Sequence, residues 1–80
     1  DLPCVITGDF NARPASECID LLEKTWNVTD MKLFTFPADK PDRKIDYIAT
    51  RGNVKMRSYA VLDEKVVSDH CPIIAELDFE

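Results

Sequence analysis

KIDYIAT, residues 44–50, sets the charge of Asp46 into an apolar run. Ile45, Tyr47 and Ala49 fall on one side of an extended chain, and Asp46, Ile48 and Thr50 on the other. Four apolar residues within seven positions, two of them β-branched, with this alternation read as a strand. The exception is Asp46. A carboxylate between Ile45 and Tyr47 is costly to bury unless it is paired. Either Asp46 faces solvent on a half-buried strand or it has a partner. The chain holds a single histidine, His70, which is the obvious candidate.

Working outward, PCVITG (3–8) is a short apolar run closed by Gly8 and reads as a buried strand. DFNARP (9–14) leaves it as a loop. Ser16 and Glu17 suit a helix start, with Cys18, Ile19, Leu21 and Leu22 at helical spacing, so a helix is expected over 16–24. TWNVTDMKLFTF (25–36) is mixed; Trp26 and Val28 open a short strand or pack as an irregular segment. PADKPDRK (37–44) is a charged, proline-rich loop, and Arg51, Gly52 and Asn53 form a turn. VKMRSYAVLD (54–63) alternates, with Val54, Met56, Ser58, Ala60 and Leu62 opposite Lys55, Arg57, Tyr59 and Val61. DEKVVSD (63–69) is a polar link. PIIAELDF (72–79) alternates again, with Ile73, Ala75, Leu77 and Phe79 on one face. The expected order is strand, helix, mixed segment and three strands, an α+β arrangement.

Eighty residues suffice for one small domain, whose buried fraction of surface would leave it marginally stable. No apolar run is long enough to span a bilayer. The chain opens at Asp1 and enters LPCVITG at once, which reads as a cut inside a longer protein. A net charge of −5 argues against nonspecific nucleic-acid binding. Lys40, Arg43, Lys44, Arg51, Lys55 and Arg57 read as a solvated basic surface. Cys4, Cys18 and Cys71 have no metal-ligand spacing; beside apolar neighbours they read as buried free thiols, which leans toward a reducing compartment such as the cytoplasm.

Three short motifs lie at or in strands: GDFN (8–11), IDYI (45–48) and SDH (68–70). Loops at strand ends let polar groups converge while the strands hold them. Asp9 and Asn11, two apart, point to one side of extended backbone; an Asx-turn is the plainer alternative. Asp69 and His70 are adjacent and face opposite ways, so Asp69 does not orient His70. Asp46 would do so instead, fixing the imidazole tautomer and stabilising the imidazolium.

VITGDFNARP, TFPADKPDRKIDYI and SDHCPI, in that order, resemble the C-terminal half of the endonuclease/exonuclease/phosphatase superfamily, which includes the DNase I-like nucleases. The resemblance runs from Cys4 to Leu77. It implies part of a four-layer α/β sandwich, here residues 1–80 as the C-terminal piece of one domain whose N-terminal half is missing. It implies a metal-dependent hydrolase of phosphate esters, whether in nucleic acid, phospholipid or sugar phosphate. Asp9 would activate the attacking water and contribute to metal binding. Asn11 would contact the scissile phosphate, Asp46 would hold His70, Asp69 would bind a divalent metal, and His70 would contact or protonate the phosphoryl group. Magnesium, or manganese in its place, suits such carboxylates. The family's metal-binding Glu lies in the absent half, so the 80 residues alone are expected to be inactive. The competing reading is a non-catalytic scaffold that kept the fold.

Overall fold

In the computed structural model, residues 2–28, 31–66 and 68–79 are described. Thr29 and Asp30 of the mixed segment, and Val67 of the polar link, lie outside them. The order is β1 (Cys4–Asp9), α1 (Glu17–Glu23), β2 (Asn27–Val28), β3 (Asp46–Arg51), β4 (Val54–Val61) and β5 (Ile73–Phe79). This is a small α+β arrangement of mostly antiparallel strands with one helix, as expected.

Strand β3 is central to one sheet, ordered β1-β3-β2, with both neighbours antiparallel. Its first five residues are buried. Both faces are covered rather than one: as the middle strand, β3 buries Asp46, Ile48 and Thr50 as well as Tyr47 and Ala49. Strands β4 and β5 form a second, two-stranded antiparallel sheet, and β3 packs against both. The core gathers Ile19 from α1, Ile45, Tyr47, Ile48 and Ala49 from β3 and its approach, and Cys71 from the loop before β5.

Helix α1 begins where Ser16 predicted. The Ser16 Oγ accepts the Ile19 N–H at 3.3 Å, and Glu17 and Asp20 sit in the positive first turn. The Arg51–Asn53 turn holds Gly52 at φ +81°, with its α-carbon close to the Leu2 carbonyl.

Four sequence expectations are corrected. Strand β1 is exposed along all six residues, because no described element other than its strand partner β3 packs closely on it and its faces stay uncovered. Cys4 and Cys18 are exposed thiols for the related reason that neither β1 nor the outer face of α1 is covered; Cys71 alone is buried. The alternation in β4 changes phase. Val54 and Met56 are half-buried, but so are Tyr59 and Val61, because a register shift between Met56 and Ser58 leaves Arg57 as an extra residue. Lys44 does not belong to the solvated basic surface. It is 1 % exposed, its Nζ donates to the Tyr59 hydroxyl at 2.6 Å, and it lies 4.7 Å from the Tyr47 ring centre and 4.8 Å from that of Tyr59.

Candidate active site

The antiparallel register of β1 and β3 sets Asp9 opposite Asp46. Asp9 is the last residue of β1 and Asp46 the first of β3, so the two carboxylates meet at one end of the sheet. The ladder continues one step further, where the Phe10 N–H donates to the Ile45 carbonyl at 2.9 Å. Beyond it the chain turns. Asn11 has φ +50°, and its backbone N–H donates to Asp9 Oδ1 at 2.8 Å. This is the Asx-turn, and it means that Asp9 and Asn11 do not share one face of an extended segment. The turn is held from below by Tyr47. Its hydroxyl donates to the Ala12 carbonyl at 2.7 Å, and its ring meets Phe10 edge-on at 5.5 Å. Burial pushes the Tyr47 phenol up to about 12, so it stays a neutral donor.

The loop between β4 and β5 brings His70 to the same end. It is tied down on both flanks: the Ala38 N–H donates to the Asp69 carbonyl at 2.6 Å, and the Cys71 N–H to the Thr35 carbonyl at 2.7 Å. The Ser68 hydroxyl accepts the His70 N–H at 3.1 Å. His70 then places its two ring nitrogens between two carboxylates. Nδ1 donates to Asp46 Oδ2 at 2.8 Å, and Nε2 stands 3.6 Å from Asp9 Oδ2. The Phe36 ring lies 4.6 Å away, centre to centre, on its flank.

The hydrogen bond that Nδ1–H donates to Asp46 holds the imidazole pKa above its ordinary value. Partial burial opposes this, while the charges of Asp46, Asp9 and Asp69 support it. Asp46 is buried and Asp9 exposed, so the pair differs in kind. Asp46 is bonded to His70 at 2.8 Å, whereas Asp9 is more exposed and its Oδ2 stands 3.6 Å from the same ring. Between them, Asp9, Asp46 and His70 offer ligand atoms within 4.8 Å of one another. Carboxylate oxygens of this kind suit a hard divalent cation, which usually keeps several waters and takes one or two carboxylates from the protein.

This pairing of β1 and β3 ends with the loop before β5 involves the three motifs read from the sequence. The family comparison matches residues 1–70 to the model described as the Endonuclease/Exonuclease/phosphatase family. The chain belongs to that family. Membership brings a phosphoesterase or nuclease type of function, phosphate-ester substrates and, typically, a divalent metal. The match ends at His70 and so takes in GDFN, IDYI and SDH. Searches of curated proteins and of solved structures each returned no significant match.

Within this family member, the structure brings Asp9, Asp46 and His70 together. Asn11 and Asp69 are exposed and lie next to that group in the chain, Asn11 in the turn after Asp9 and Asp69 beside His70. Sequence reading missed Thr35, Phe36 and Tyr47 as supports of the site. Tyr47 sits inside IDYI but reads there as a core aromatic. Thr35 and Phe36 sit in an irregular stretch with no periodicity to mark them. No helix among the described residues is long and apolar enough to cross a membrane.

Proposed function

We propose that this chain carries the part of a metal-dependent phosphoesterase that holds the general acid and two carboxylates, Asp9 and Asp69, for the metal. It would cleave phosphodiesters or phosphomonoesters by in-line attack of water. The observation that carries the reading is His70 held between Asp46 and Asp9, with Nδ1 bonded at 2.8 Å and Nε2 turned toward the open carboxylate.

The roles follow from that arrangement. Asp46 keeps Nδ1 protonated and favours the imidazolium, leaving Nε2–H to donate to a phosphoryl or leaving-group oxygen as negative charge develops there. Asp9 accepts a proton from, or orients, the attacking water. Asn11 offers its amide to a phosphate oxygen. Asp69, exposed beside His70, would join Asp9 as an oxygen donor to the cation, as the family resemblance implies, since an imidazolium does not ligate one. Magnesium, or manganese in its place, would when bound offset negative charge on the phosphoryl group.

We also propose that residues 1–80 form the C-terminal piece of one larger domain, half of a four-layer α/β sandwich. Support comes from the apolar surface left open: Leu2, Val5, Ile6, Ile74 and Phe79 are all exposed. The accessible area of 5425 Å² exceeds the roughly 4,900 Å² expected for a folded chain of this mass. On this reading the 80 residues alone are inactive.

The test uses the full-length protein on a nitrophenyl phosphodiester, a nitrophenyl phosphomonoester and plasmid DNA. Turnover that needs magnesium and stops with a chelator is expected on at least one of them. His70→Ala should lower kcat by roughly 10²- to 10⁴-fold. No turnover on any substrate, or full activity in His70→Ala, would favour the scaffold instead.

A further inference from the structure

Thr35 is fully buried, and each of its polar groups is engaged near the site. Its side-chain Oγ1 accepts the backbone N–H groups of both Ile45 and Asp46, each at 3.2 Å. Its own N–H donates to the Arg43 carbonyl at 2.8 Å. Its carbonyl accepts the N–H of Cys71, the residue after His70, at 2.7 Å. A single residue in an otherwise irregular segment therefore grips the backbone of Asp46 with its side chain and the backbone next to His70 with its main chain.

We propose that Thr35 is a positioning residue for the Asp46–His70 pair, setting the separation of the strand end that carries the carboxylate and the loop that carries the imidazole.

The physical reason is a gap in the ladder. Among the described residues, β2 pairs with β3 at Ala49 and Thr50, several residues beyond Asp46. The N–H groups at the start of β3 are buried and need an acceptor, which the Thr35 hydroxyl oxygen supplies. Two bonds to one oxygen hold Ile45 and Asp46 at a fixed offset from Thr35. The Thr35 carbonyl holds Cys71 at a fixed offset from the same residue. Asp46 and His70 thus share a reference point that neither sheet provides, since β3 and β5 belong to different sheets. The consequence for turnover rests on the proposed phosphoesterase reading; the positioning itself does not.

The experiment compares Thr35→Val, which keeps the shape and removes the acceptor, with Thr35→Ser, which keeps the acceptor. In the full-length protein the readout is the downfield proton resonance of the His70 Nδ1–H donated to Asp46. It should be present in the unsubstituted protein and in Thr35→Ser, and lost or shifted upfield in Thr35→Val. In parallel, kcat should fall roughly 10²-fold in Thr35→Val with KM little changed, and return in Thr35→Ser. An unaltered resonance in folded Thr35→Val overturns the proposal, as does loss of the resonance in Thr35→Ser. Should Thr35→Val fail to fold, amide exchange in the unsubstituted protein decides. Ile45 and Asp46 amides as slow as those of the β1–β3 ladder support the proposal, and amides in the fast class overturn it. A protein with no phosphoesterase activity but with the resonance pattern above would reject the proposed function and leave the positioning role standing.

Discussion

His70 is held by one strong contact and one weaker one, and the difference has a measurable consequence. The 2.8 Å bond to Asp46 favours the protonated ring in the folded state, so the folded pKa lies above 6.5. The native protein then binds more protons than the unfolded one as pH passes through this range. The resulting stabilisation is fully present below pH 6.5 and is lost as pH rises through the folded pKa. With metal chelated, the melting temperature of the full-length protein should therefore fall as pH rises from 6.5, and Asp46→Asn should flatten that slope. An equal slope in Asp46→Asn would separate the pH dependence from this pair. The imidazole keeps about a third of its side-chain surface, so solvent screening keeps the effect small.

At the scale of elements, the turn between β3 and β4 and the bulge in β4 decide how the two sheets meet. Gly52 combines φ +81° with an approach to the Leu2 carbonyl that leaves no room for a Cβ. Gly52→Ala should cost upward of about 1 kcal/mol by denaturant titration, from both backbone strain and the clash. A variant as stable as the parent would show that the Leu2 segment gives way freely. The bulge at Arg57 has the opposite character. It hands the covered face of β4 from Met56 to Tyr59, and so brings the Tyr59 hydroxyl to Lys44 at 2.6 Å. The buried lysine depends on this phase change, since strict alternation would have put Tyr59 on the face opposite Val54 and Met56.

For the whole molecule, cover is unevenly distributed. Strand β3 and the loop around Cys71 are buried, while β1, the outer side of α1 and the far end of β5 are open. A thiol reagent should therefore label Cys4 and Cys18 of the native 80-residue chain quickly and Cys71 slowly. Burial both shields the Cys71 sulfur and raises its pKa, which lowers the thiolate fraction that reacts. Mass spectrometry of the labelled peptides checks this; equal rates at all three would mean that the loop before β5 opens as readily as β1 is exposed. Under the proposed domain reading, the full-length protein should also unfold at a higher temperature than the 80 residues, because the missing layers would cover Val5, Ile6, Ile74 and Phe79.

By itself the sequence determined the order of elements, the helix start at Ser16, a strand around Tyr47 and the three motifs that mark the family. These are local properties: side-chain period, capping chemistry and residue type at a strand end. Even the Asp46–His70 partnership was legible, because a carboxylate in an apolar strand demands a partner and one histidine was on offer. Tertiary structure decided everything that depends on which face is covered and which backbone groups lack a strand neighbour. It exposed β1 and two thiols, buried Lys44 between two aromatic rings and shifted the phase of β4. It also gave Thr35 its place, since the need for an acceptor at the start of β3 exists only once β2 has paired elsewhere.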